Sequence, residues 1–124
     1  GSEMCIRDSY GATGGRIDHL LANLFCLLRP EFLNMISKVE FIDKNNVIRF
    51  YNPGEHEIKQ IEGMRYLAFV SMGPVDDLNL YDEKYRLRHA DLSRVISLAS
   101  NEFVSETAHF SFKNGNVCVI WSKD

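Results

Sequence analysis

At 124 residues the chain has the length of one domain, and with 45% hydrophobic residues it can bury a real core, which argues against intrinsic disorder. Its formal charge of −3 argues against a nucleic-acid or anionic-membrane surface, because both require a basic patch. No apolar run approaches the ~20 residues that cross a bilayer, so neither nucleic acid nor membrane is an expected partner.

The first nine residues show no periodicity and no helix cap. One frame of the mosaic-end adapter used in transposon-based sequencing libraries translates as Met-Cys-Ile-Arg-Asp, and Met4-Cys5-Ile6-Arg7-Asp8 matches it. Residues 1–9 are therefore expected to be translated adapter and to stand outside the fold. On that reading the chain is a fragment whose preceding part lies upstream of Tyr10.

A glycine-rich stretch follows, Gly11-Ala12-Thr13-Gly14-Gly15-Arg16-Ile17-Asp18-His19, and opens into an apolar helix pattern. Such a loop presents free backbone N–H groups at the positive end of a helix dipole, which suits phosphate. It is neither a Walker A loop nor a dinucleotide fingerprint. Ile17, Leu20, Leu21, Leu24 and Leu28 form one stripe and predict a helix that Arg29-Pro30 ends. A short second helix is expected over 31–37. His19 reads as a capping or hydrogen-bonding residue rather than a general base, and Asn23 lies one turn beyond it.

The pattern then turns to strands. Residues 39–42 and 47–51 are β-rich and flank a turn at 43–46. A strand is expected over 55–61 with Ile58 and Ile61 inward. Residues 65–72 are apolar on both faces and predict a buried central strand. Residues 75–80 and 85–87 read as short, edge-like strands, and 94–99 as another. Ser100-Asn101 reads as a turn. Ala108, Phe110 and Phe112 alternate with polar neighbours, and Asn114-Gly115 predicts a hairpin into 117–121. Many short strands separated by turns suggest a β-sandwich. Cys26 and Cys118 lack metal or redox spacing and read as reduced core thiols of a cytoplasmic protein. His56, His89 and His109 show no ligand spacing.

The stretch Gly11 to Asn23 resembles the signature of thiamine pyrophosphokinases (thiamine diphosphokinases). Ser100-Asn101-Glu102, the Lys113-Asn114-Gly115 turn and the terminal Ser122-Lys123-Asp124 resemble later parts of the same family, in the right order. The resemblance implies a fold that is mainly β with N-terminal helices: residues 10–45 as the last helical part of an α/β nucleotide-binding domain, and 46–124 as a β-sandwich thiamine-binding domain. It implies transfer of diphosphate from ATP to thiamine, giving thiamine diphosphate and AMP, with Mg²⁺, in a homodimer with each site built between subunits. The upstream aspartates that hold Mg²⁺ in the family are not in this sequence, so the chain itself is expected to be inactive.

By the same resemblance, Gly11, Gly14 and Gly15 approach the nucleotide, Arg16 forks onto phosphate, and Asp18 serves the metal and the chemistry. Ser100 and Asn101 would hold the aminopyrimidine ring, and Tyr85 would stack on the heterocycle. The family has a Gly-Leu-Lys-aromatic run there, often followed by proline. This chain reads Asp82-Glu83-Lys84-Tyr85-Arg86-Leu87 instead, and Ser93-Arg94-Val95 stands where the family tends to have a glycine. The other reading of the sequence is a non-catalytic β-sandwich module for ligand binding or dimerisation.

Overall fold

The computed structural model describes residues 33–124 continuously and, before them, Asp18, Ala22, Asn23, Phe25, Cys26 and residues 28–31. Gly11, Gly14, Gly15, Arg16 and His19 lie outside the described residues. Among the described residues the expected N-terminal helices reduce to helical positions at Asp18, Ala22, Asn23, Phe25 and Cys26 and to one 3-10 helix, Leu33–Lys38. The short second helix expected over 31–37 is this 3-10 helix of six residues, and the tighter 3-10 geometry suits such short pieces. No described helix is long and apolar enough to cross a membrane.

Nine strands follow: β1 (Glu40–Ile42), β2 (Asn46–Tyr51), β3 (Gly54–Lys59), β4 (Tyr66–Ser71), β5 (Val75–Leu80), β6 (Leu87–Leu92), β7 (Ile96–Glu102), β8 (Thr107–Phe112) and β9 (Val117–Ser122). They form a five-stranded sheet in the order β1-β2-β9-β4-β7 and a four-stranded sheet in the order β3-β8-β5-β6. Every pairing is antiparallel. The expected domain boundary at residue 45 falls inside the β1–β2 hairpin.

Period-2 burial explains the layers. Leu67 and Phe69 on β4 and Val117, Val119 and Trp121 on β9 point inward, against Ile58 of β3, Leu78 and Leu80 of β5, and Phe110 and Phe112 of β8. Trp121 is fully buried, and its indole N–H donates to the Lys59 carbonyl at 3.0 Å, tying the two sheets together. Burying such a ring contributes about 4–6 kcal/mol of transfer free energy. A smaller cluster, Ile36, Val39, Phe41, Ile48, Phe50 and Cys118, sits on the outer face of the large sheet under the 3-10 helix. Cys118 is a free, buried thiol, and burial pushes it up to about 12. Cys26 is disulfide-bonded, contrary to the reduced state expected.

Several strand expectations need correction. β4 is central, but its burial alternates: Leu67, Phe69 and Ser71 are buried and their neighbours only half-buried. β5 is no edge strand, because it lies between β8 and β6. β6 begins at Leu87, which leaves Tyr85 in the preceding loop. The Asn114-Gly115 turn is not a hairpin. β8 and β9 belong to different sheets, so the turn carries the chain across the sandwich.

That crossover is stitched to its neighbour between β4 and β5. Asn116 accepts the Met72 N–H at 2.9 Å, and the Lys113 N–H donates to the Asp76 carbonyl at 2.8 Å. Gly115 has φ +90, and a Cβ there would run into the Pro74 carbonyl oxygen. Both the left-handed backbone and the close approach require glycine. Gly115→Ala is therefore expected to destabilise the chain by about 2 kcal/mol or more, read as a fall in the urea midpoint at unchanged slope.

Candidate functional site

The C-terminal half of β7 departs from regular pairing. Its register with β4 runs Ser71↔Ile96, Phe69↔Leu98 and then Leu67↔Asn101, so one extra residue is inserted opposite Ala68. Ser100 sits in this bulge with φ 64, a left-handed conformation that costs serine about 1 kcal/mol. The bulge has a clear effect on facing. Regular alternation from Ile96 and Leu98 would turn Ser100 inward, and the inserted residue turns Asn101 inward instead. Asn101 is 3% exposed, whereas Ser100 is exposed. The pair expected as a turn is thus part of a strand, and its two side chains point to opposite sides.

Asn101 reaches the loop between β5 and β6 and clamps it. Its Oδ1 accepts the Tyr85 N–H at 2.9 Å and the Glu102 N–H at 2.9 Å. Its Nδ2 donates to the Tyr85 carbonyl at 3.0 Å. The same loop is fixed at two further points. The Lys84 N–H donates to the Glu102 carbonyl at 3.0 Å, and Glu83 bridges antiparallel to Phe103. Residues 83–85 therefore run alongside the end of β7 as an extra, short edge.

Held this way, Tyr85 stands 58% exposed at the rim of a pocket of about 200 Å³. Leu80, Leu87, Leu98 and Asn101 contribute to its lining. Complete small-molecule sites span about 300–1,000 Å³, so this pocket has room for one ring rather than a whole ligand. Lys84 lies over the Tyr85 ring with Nζ 5.4 Å from its centroid, and its Nζ also donates to Glu102 Oε2 at 3.2 Å. Arg65 pairs with Glu102 Oε1 at 3.4 Å. The hydrogen bond from Lys84 is the main cause that lowers the Glu102 carboxyl. An apolar slot flanked by an exposed phenol ring and a clamped polar edge suits a flat heterocycle bearing amino groups.

The sequence-predicted residues are thus brought together in part. Tyr85 and Asn101 are in direct contact and share the pocket. Ser100 is absent from its lining. Asp18 is exposed, in a helical position. Among the described residues no group of three or more His, Cys, Asp or Glu side chains is placed to hold a metal ion.

Three further polar features were not read from the sequence. Asn79 is 3% exposed and accepts the His89 N–H at 2.8 Å while donating to the Asp77 carbonyl at 3.0 Å. Asp77 and His89, both at positive φ, also pair side chain to side chain at 2.6 Å. Asp82 receives the His109 N–H at 2.7 Å and holds the ring Nδ1 at 2.6 Å. That hydrogen bond is the main cause that raises the His109 ring above its ordinary value. Glu83, next to Asp82, is fully buried. In the sequence it stands between Asp82 and Lys84, where a glutamate reads as solvated surface.

Comparisons with known proteins bear on this pocket. Residues 55–117 match the family model described as thiamin pyrophosphokinase, vitamin B1 binding domain. Over 117 residues, 93% of the chain, the sequence is 35% identical to thiamine pyrophosphokinase of Bacillus subtilis (strain 168), of which it covers 54%. A thiamin pyrophosphokinase family protein from Enterococcus faecalis superposes with a TM-score of 0.86 at 43% identity, covering 93% of this chain and 54% of that one. A protein from Lactobacillus plantarum gives a TM-score of 0.87 at 50% identity, covering 93% and 56%. The chain spans about half the length of the curated relative it matches. Tyr85 and Asn101 both lie inside the matched 55–117 segment.

Proposed function

This chain belongs to the thiamin pyrophosphokinase vitamin B1 binding-domain family, and from that premise we propose that its pocket at Tyr85 and Asn101 captures thiamine for diphosphate transfer from ATP. The observation that carries the reading is the clamp of Tyr85 by Asn101 at the mouth of an apolar slot, within the segment matched to that family. The aminopyrimidine ring would enter the slot, and the phenol face of Tyr85 would meet the cationic part of the ligand. Ser100 is exposed at the bulge beside this clamp.

In the proposed reaction the hydroxyl oxygen of thiamine attacks the β-phosphorus of ATP. The new O–P bond forms as the bond from that phosphorus to the α,β-bridging oxygen breaks. AMP leaves with the bridging oxygen, and the hydroxyl proton passes to solvent. The contribution of residues 46–124 is to hold and orient the acceptor. Gly11, Gly14, Gly15 and Arg16 are proposed for the nucleotide phosphates, with Asp18 for Mg²⁺, and the proposal routes no step through the metal. A pocket with room for one ring supports completion of the site by surface outside this sandwich, as a homodimer would provide.

Titration calorimetry of the chain with thiamine tests the reading. Saturable binding that Tyr85→Ala weakens about tenfold is expected, a loss of roughly 1.4 kcal/mol. Binding indifferent to this substitution would move the site elsewhere. No binding at all would favour a sandwich that serves dimerisation alone.

A further inference from the structure

The loop that presents Tyr85 also buries a carboxyl group for which thiamine capture has no use. Glu83 is 0% exposed. Its Oε1 accepts the Asp82 N–H at 3.0 Å, while its Oε2 is buried with no hydrogen-bond partner. A neutral carboxyl tolerates such a place, whereas an ionised one loses its hydration without compensation. An apolar side chain in the same place would carry no such conflict.

The surrounding charges offer little relief. On its own loop Asp82 repels a second negative charge, and Lys84 is committed to Glu102 of β7, as is Arg65. On β8 the His109 ring is attractive, but it is hydrogen-bonded to Asp82 and faces Glu57 of β3 on its other side, at 3.8 Å. The backbone of Glu83 is joined to Phe103, that of Lys84 to Glu102, and that of Tyr85 to the Asn101 side chain. Movement of Glu83 toward water therefore pulls on the three attachments that hold the Tyr85 ring in place.

We propose that Glu83 is a positioning residue that makes the presentation of Tyr85 depend on pH: neutral, it anchors residues 82–85 against the end of β7; ionised, it leaves the interior and releases them. The link to ligand capture rests on the reading of Tyr85 as a thiamine contact. Burial is the main cause that pushes the Glu83 carboxyl up to about 7, against the opposing backbone N–H contacts of Glu83 and Asp82. The changeover thus falls near neutrality.

Hydrogen–deuterium exchange of the 124-residue chain tests the anchor without any ligand. After correction for intrinsic exchange rates, protection of amides 82–85 should fall roughly tenfold or more between about pH 6 and about pH 8. Glu83→Leu and Glu83→Gln should each lose most of that dependence, and two variants guard against one failing to fold. Flat protection in the native chain overturns the proposal. So does a full pH response retained in both variants, which would assign it to the Asp82–His109 pair. Thiamine titrations over the same range form the second arm. Affinity that weakens with pH in the native chain and not in Glu83→Leu supports the coupling. PH-independent affinity alongside switching exchange overturns it. Switching exchange with no thiamine binding at any pH supports the anchor and refutes the proposed function.

Discussion

Asn101→Ala is expected to cost the chain about 3 kcal/mol of stability and to remove most of its thiamine affinity. The substitution deletes three hydrogen bonds at once, two accepted by Oδ1 and one donated by Nδ2. Each such bond contributes about 1 kcal/mol net, and part-buried backbone groups left without partners cost more. Two of the orphaned groups belong to Tyr85, so the loss falls on the residue proposed to meet the ligand. Urea unfolding reads the first effect and calorimetric titration the second. A stability loss under about 0.5 kcal/mol would mean that the clamp is incidental, because surface substitutions away from such features fall in that range.

Glu83→Leu is expected to stabilise the chain by about 3 kcal/mol at pH 8, and by much less near pH 5. The sign follows from proton binding. The Glu83 carboxyl in the fold sits up at about 7, above its ordinary value of 4.5. Above pH 4.5 the folded chain therefore holds a proton that the unfolded chain releases. The resulting stabilisation is complete below the unfolded value and is lost as pH rises through about 7. His109, also raised, works in the same direction, so a residual slope in Glu83→Leu reports on that ring. Glu102 and Asp82 are both lowered, and their contributions are lost only as pH falls into the acid range. Guanidinium unfolding of both chains at several pH values checks this, and equal slopes would show that Glu83 is not the group responsible.

Much of the sandwich was readable because burial follows period 2. Ala108, Phe110 and Phe112 announced both β8 and its inward face, and 47–51 announced β2 to within a residue. Asn114-Gly115 misled because the same dipeptide that closes a hairpin also serves any turn needing positive φ. Sequence does not say whether the next strand returns to the same sheet. Ser100-Asn101 misled for a related reason. Two polar residues after an apolar run suggest a turn, yet here one occupies a bulge and the other satisfies the backbone of a distant loop. That role depends on a partner sixteen residues away, which local pattern does not reveal. Glu83 was unreadable in kind, since a glutamate between an aspartate and a lysine looks like solvated surface. Its bridge to Phe103 and its full burial belong to the tertiary fold, beyond the reach of local pattern.

The bulge at Ser100 has a genetic consequence. Because alternation along a strand has period 2, loss of one codon between Leu98 and Asn101 would remove the extra residue and leave the asparagine two positions beyond Leu98, still opposite Leu67 and still facing inward. The core and the inward face of the asparagine would both survive. An in-frame deletion of a single amino acid can thus remove the left-handed residue at the bulge without turning the clamping asparagine away from Tyr85.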